Sequence, residues 1–149
     1  MNPVIVVDTR EQKAYSFDAA RASTVRAALP AGDYSLAGKE DRVAVERKSL
    51  DDLVHTVIRE RERFHNELKR LATYDAAYIV VEGDLTHILA GSYTSHAHVH
   101  SVVGAVISII VDYGIPVYFC STRPLARLFT QEFLVRYDRV RHDRQEPHP

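Results

Sequence analysis

The sequence is poor in several features, and each shortage excludes a class of protein. Cys120 is its only cysteine, so an intramolecular disulfide and a multi-cysteine zinc site are both ruled out, and the chain suits a reducing compartment. Cys120 itself reads as a small hydrophobe in the core. There is no apolar run of about 18 residues, and the start MNPVIVVDTR lacks the basic-then-apolar layout of a signal peptide. No membrane span is expected, and the protein is expected to be soluble and intracellular, either cytoplasmic and nucleoid-associated or nuclear. The net charge is only −1, without the positive surplus by which many proteins hold nucleic acid through bulk electrostatics. DNA binding by such a chain must rest on local cations, a metal ion or a partner.

What is present suffices for one core. With 149 residues, 46% of them hydrophobic, the chain falls in the size range of a single domain, expected over residues 1–141. The polar tail HDRQEPHP (142–149) is expected to be disordered. The Met1 start and the short tail suggest either a whole protein or a piece cut at a domain edge. PVIVVD (3–8) is a β-branched apolar run that reads as a buried strand delivering Asp8 to its exit. The segment 17–29 reads as a short helix. Pro30, Ala31 and Gly32 break the chain, and DYSL and RVAVER follow as an antiparallel hairpin turning through AGKED.

Ser49 can cap a helix starting at Leu50, with Asp52 in the acidic position of a capping box. A charged amphipathic helix carries Val57, Arg61, Phe64, Leu68 and Leu71 on one side and Arg59, Arg63, Asn66 and Arg70 on another. AAYIVVEGD reads as a second buried strand, and LTHILA as a short helix capped by Asp84. VHSVVGAVISIIVDYG reads as a buried helix ending at Gly114. IPVYFC is a further strand, and a last helix begins at Thr122 and Pro124. That helix is apolar on more than one side, with Leu125, Leu128, Phe129 and Phe133 on one face and Leu134, Tyr137 and Val140 round the cylinder. Together these elements predict one α/β domain, a central mixed sheet of about five strands flanked by helices.

The chemistry concentrates in AGDYSLAGKEDRVAVERKSLDDL. Asp33 opens one strand of the hairpin; Glu46 and Lys48 lie two apart on the other and share a face, while Arg47 points oppositely. Pairing brings Asp33 near them. Two carboxylates are a minimal oxygen cage for Mg²⁺ or Mn²⁺, which lowers the pKa of a bound water and neutralises a phosphate. A nearby ammonium can position the attacking water or stabilise the charge that develops on phosphorus. A D…ExK string alone is common, since alternation on exposed strands often places such groups together.

The flanks make it specific. VVDTRE (6–11), GDYSL (32–36) and VERKSLDDL (45–53) occur in this order. Together they closely resemble the XPF family of structure-specific endonucleases, PD-(D/E)xK nucleases recognised by V-D-x-R-E, G-D-Y and E-R-K-x-x-x-D motifs. The resemblance implies a restriction-endonuclease-like fold, Asp33 and Glu46 as metal ligands, Lys48 as the catalytic lysine, and Asp8 as a further acid at the metal centre. Arg10, Glu11, Arg47 and Asp52 complete the motifs, Arg47 in a structural or helix-contacting role and Asp52 either there or as a helix cap. The implied activity is metal-dependent hydrolysis of branched or flap-like DNA, leaving 5′-phosphate ends. The family's nuclease domains associate through late helices, and the surplus apolar surface between Leu125 and Val140 fits a homodimer or heterodimer. The eukaryotic members carry a tandem helix-hairpin-helix module, whereas only HDRQEPHP follows the last helix here, which leaves the preferred DNA structure open. A non-catalytic junction-binding scaffold and a sequence-specific restriction-like endonuclease are the alternatives.

Other signals are weaker. His87, His96, His98 and His100 crowd together, but as a polar surface loop, either plain or with donors able to touch DNA phosphates, rather than as a zinc site. Arg59 and Arg63 are candidate phosphate contacts, while the interleaved Glu60, Glu62 and Glu67 read as a solvated face with ion pairs. Tyr34 reads as a packing residue.

Overall fold

Strand β1 (Val4–Asp8) is buried from Ile5 to Asp8 and sits inside the sheet. The computed structural model describes residues 2–145. On one side β1 pairs in parallel with β2 (Ser23–Ala27), and on the other antiparallel with β3 (Tyr34–Leu36), Val7 facing Tyr34. β3 turns back antiparallel into β4 (Val43–Ser49) through the expected hairpin. β5 (Ala76–Glu82) and β6 (Val117–Phe119) then add in parallel, giving a mixed six-stranded sheet in the order β2-β1-β3-β4-β5-β6.

The sixth strand is β2, where the alanine-rich segment 17–29 reads as a helix from its sequence. All five of its residues are exposed, so no alternation marks it, and the helix propensity of its alanines is overridden by the backbone partners that β1 offers. The helices follow the expected order: α1 (Leu50–Arg59), α2 (Arg61–Leu71), α3 (Leu85–Leu89), α4 (Val99–Tyr113) and α5 (Arg123–Gln145). Ser49 Oγ accepts the Asp52 N–H and so caps α1. Glu60, at φ −121° and ψ 38°, ends α1 and turns the chain into α2. Gly114, at φ 68°, takes the left-handed conformation that closes α4. Residues 142–145 continue α5 rather than starting a disordered tail; 146–149 lie outside the described residues.

Alternation along the central strands splits the core in two. Ala44, Ile79 and Val81 point towards α1, α2 and α4, where Leu53, Val54, Phe64, Leu68 and Ile109 cover them. Ile5, Val7, Val45, Tyr78 and Val80 point the other way, against Leu134 and Tyr137 of α5. Each such aliphatic side chain contributes roughly 1.5–3 kcal/mol by leaving water. Of the apolar surplus on α5, Leu134 and Tyr137 are therefore used by this core, whereas Leu125, Leu128 and Phe129 remain exposed. Among the described residues, no helix is long and apolar enough to cross a membrane.

Candidate active site

The antiparallel register at the centre of the sheet brings Asp8, Asp33 and Glu46 to the wall of one cavity. Asp33 stands just before β3, and its N–H donates to the Val45 carbonyl of β4 (2.9 Å) while its carbonyl accepts from the Asp8 N–H of β1 (2.9 Å). The end of β1, the start of β3 and the middle of β4 thus meet at Asp33. Gly32 makes this approach possible. Its φ is +77°, and a Cβ there would lie 3.0 Å from the Ala44 Cβ and 3.2 Å from the Val45 carbonyl oxygen, so a side chain would be both strained and crowded.

Glu46 and Lys48 project to the α1/α2 side of β4, the side of Ala44, and with Asp8 and Asp33 they form one wall of an open cavity of about 200 Å³. The facing wall comes from the helices: Thr56 of α1, Glu60 at the turn, and Arg63, Phe64 and Glu67 of α2. Lys48 Nζ lies 3.5 Å from Glu46 Oε1 and over the Phe64 ring, 5.7 Å from its centroid. Asp33 Oδ2 accepts the Arg47 N–H at 2.8 Å.

These groups are electrostatically tense. Burial, only partly offset by the Arg47 N–H, raises Asp33 to about 6. Glu46 is pushed well above the usual carboxylate range, first by burial, then by the charges of Asp33 and Glu67. Lys48 behaves oppositely: burial favours its neutral form, but Glu46, Glu67 and Asp33 outweigh burial and hold it charged. Asp8 is different again. Burial acts to raise it, but the Leu29 N–H (2.9 Å) and Arg10 Nε (2.7 Å) bind its two oxygens and leave it below its ordinary value. Asp8 lines the cavity with its carboxylate already engaged.

Two buried carboxylates held apart from water fit a hard divalent cation, which would relieve their mutual repulsion. Among the described residues no set of three or more Asp, Glu, His or Cys side chains is arranged to hold an ion. Asp33 and Glu46 are the pair that could hold one, since both Asp8 oxygens are already bound by Arg10 and the Leu29 N–H. Such a pair suits Mg²⁺, which keeps several waters and takes substrate phosphate oxygens alongside one or two carboxylates.

Arg47 points to the opposite face, as alternation along β4 dictates. There its Nε lies 3.9 Å from Glu11 Oε2 and 3.7 Å from Glu82 Oε2, and Glu82 also accepts from Tyr15 (2.7 Å) and Arg123 (3.3 Å). Asp52 is on the exposed first turn of α1 and lines a neighbouring cleft with Glu11, Arg47 and Arg123. Arg10 is largely exposed at the cavity edge. Arg63 lines the cavity; Arg59 is exposed and does not. Glu62 is exposed, but Glu60 and Glu67 are cavity residues rather than part of a solvated face. Their spacing with Arg63 and Phe64, at i, i+3, i+4 and i+7, is the signal that could have found them. The histidines form no metal cluster among the described residues. His98 Nδ1 accepts the His100 N–H and so caps α4, and His87 Nδ1 accepts the Asp84 N–H.

Comparison with known proteins gives the chain's family and matches its fold. Residues 7–132 match the family model described as the ERCC4 domain. The chain is 35% identical over 115 residues to a putative ATP-dependent RNA helicase of Methanocaldococcus jannaschii, covering 77% of this chain and 13% of that protein. It is 35% identical over 92 residues to the 3′-flap repair endonuclease Xpf of Saccharolobus solfataricus, covering 61% of this chain and 36% of that one. The chain thus spans well under half the length of either relative. XPF from Aeropyrum pernix superposes with a TM-score of 0.70 at 25% identity, over 91% of this chain and 61% of that one. The same protein in complex with DNA gives 0.67 at 24%, over 92% and 65%.

Proposed function

The chain belongs to the ERCC4-domain family, and from that premise we propose that it is a divalent-metal-dependent endonuclease that hydrolyses phosphodiester bonds in branched or flap-like DNA. One observation carries the reading: Asp33, Glu46 and Lys48 converge on the wall of a single open cavity, two acids and a cation where phosphodiester hydrolysis needs them.

In this reading Asp33 and Glu46 hold Mg²⁺ or Mn²⁺. When bound, the ion supplies Lewis-acid stabilisation of the phosphate and a lowered pKa for a coordinated water. The remaining work falls to the chain. Lys48, kept protonated by the acids around it, places a positive charge beside the phosphate where negative charge grows during in-line attack. The leaving group is the 3′-oxygen, so the products carry 5′-phosphates. Asp8, clamped by Arg10 and the Leu29 N–H, fixes the end of β1 against Asp33. Arg63, exposed at the rim, offers a guanidinium fork to a backbone phosphate, an interaction whose geometry arginine matches well.

The substrate class is supported by the relatives. One is a 3′-flap repair endonuclease, and a structure of similar fold is a DNA complex. A near-neutral chain needs help to grip DNA, and we propose that it works as a dimer through the exposed apolar residues of α4 and α5. The test is a panel of labelled duplex, single-stranded, flap and fork DNAs with Mg²⁺, cut by the wild type and by Asp33→Asn and Lys48→Ala. Metal-dependent cutting of a branched substrate, lost in both variants, is expected. Binding without cutting favours the scaffold alternative, and equal activity in wild type and variants removes the assignment.

A further inference from the structure

Helix α2 gives the cavity a carboxylate, Glu67, that none of the three sequence motifs contains. Glu60, Arg63, Phe64 and Glu67 fall on one stripe of the chain, and all four line the cavity opposite the β4 residues. Phe64 packs beneath Lys48 Nζ. Glu67, half-buried and three residues further on, is close enough to Glu46, Lys48, Asp33 and Arg10 for its charge to be felt by all of them. An ordinary solvated helix face would turn such a residue towards water, like Glu62 on the same helix.

We propose that Glu67 is a positioning residue of the metal centre: it orients Glu46 and Lys48 and adds the negative charge that sets the site's affinity for a divalent cation. The inference rests on the reading of Asp33 and Glu46 as the direct donors. Glu67 is not one of them, since no three acids among the described residues are arranged around one point. It acts from the next layer, where a carboxylate that holds a ligand in orientation typically changes metal affinity about 10- to 100-fold. Arg63 and Glu67 lie one helical turn apart, so a single helix face carries a phosphate-directed cation and a metal-directed acid.

The test measures Mn²⁺ binding to the DNA-free protein by calorimetry or by the loss of the free-ion EPR signal, with thermal melts of the metal-free protein alongside. Glu67→Gln keeps the side chain's size and removes its charge. It is expected to weaken Mn²⁺ binding about tenfold without lowering the metal-free melting temperature, and Glu62→Gln is expected to change neither. A merely structural role for Glu67 would lower the melting temperature and leave the affinity of the folded protein as it was. Unchanged affinity in Glu67→Gln, with wild-type binding intact and lost in Asp33→Asn, overturns the role of Glu67 alone. Wild-type protein that binds no Mn²⁺, or that binds it equally in Asp33→Asn, overturns the donor assignment beneath it.

Discussion

Lys48 Nζ lies 3.5 Å from Glu46 Oε1, two residues away on the same face of β4 and closed in by the ring of Phe64. A cation so placed is both an ion-pair partner and a reagent: it offsets part of the charge of a buried acid, and it stands ready for a phosphate. The two tasks separate by mutation.

Lys48→Ala is expected to abolish DNA cleavage while leaving metal binding in place. Loss of a preorganised charge-stabilising group costs on the order of 10²- to 10³-fold in rate. Glu46 and Asp33, still present, should bind Mn²⁺ at least as tightly once the competing ammonium is gone. Single-turnover cleavage and calorimetry on the same variant check the split, and a Lys48→Ala protein that fails to bind Mn²⁺ sinks it.

The two carboxylates predict how stability depends on pH in the metal-free protein. Burial lifts Asp33 from its ordinary 3.8 to about 6, so between those values the folded state holds a proton that the unfolded state has released. Stability is therefore fully present below about pH 4 as far as this group is concerned and is lost as the pH rises through 6, by roughly 2–3 kcal/mol. Mg²⁺ should restore it, because a ligand that binds only the folded state stabilises it by mass action. Thermal melts from pH 4 to 8, with and without Mg²⁺, should show the decline, its flattening in Asp33→Asn and its reversal by metal. A metal-free melting temperature that climbs steadily from pH 4 to 8 contradicts this.

Much of this was legible in the sequence because the informative strands are unbroken runs of buried, mostly apolar residues covered on both faces. PVIVVD, RVAVER and AAYIVVEG declare themselves as strands, and the i, i+2 relation puts Glu46 and Lys48 together and turns Arg47 away without any coordinates. What stayed hidden lies where burial gives no pattern. β2 has no buried residue, so only its pairing with β1 reveals it. Glu67 looked like one of several solvated acids because a helix's own sequence does not say that a sheet stands opposite one of its stripes. Asp8 was legible as an acid at the site, but not that Arg10 and the Leu29 N–H already occupy its oxygens.

Arg47 supplies the third prediction. Its side chain is 8% exposed and lies between Glu11 and Glu82, themselves 9% and 11% exposed. The same Glu82 carboxylate ties in Tyr15 from the loop after β1 and Arg123 from the start of α5. Replacing Arg47 by Ala leaves two buried acids facing each other, and removing one partner of a buried ion pair typically costs about 3–5 kcal/mol. Arg47→Ala is expected to melt far below the wild type, while Glu82→Gln, which keeps the acceptor for Tyr15, melts only slightly lower. If Arg47→Ala melted like the wild type, the cluster would not be holding β1, β4 and α5 together.

The fourth prediction concerns assembly. Leu125, Leu128 and Phe129 on α5 are 51%, 45% and 39% exposed, and the ring of Tyr118 on β6 lies 4.8 Å from that of Phe129, tilted by 47°. On the other flank of β6, α4 leaves Ile107, Ile110 and Val111 open. β6 is the edge strand of the sheet, so this apolar surface and an unpaired strand edge occur together, a combination that monomers usually avoid. A second copy of the chain is the occupant that covers it in our reading, since a two-fold axis lets one patch cover itself. Light scattering at micromolar concentration is expected to give the mass of two chains. Leu125→Glu with Leu128→Glu should return it to one, with the fold retained by circular dichroism because both residues are about half exposed and belong to neither face of the core. The catalytic cavity lies on the α1/α2 side of β4, apart from these residues, so the charged variant keeps its Mn²⁺ affinity and loses DNA affinity only to the extent that two copies share one substrate. A monomeric mass for the wild type ends the proposal; a dimer untouched by the two glutamates moves the interface elsewhere.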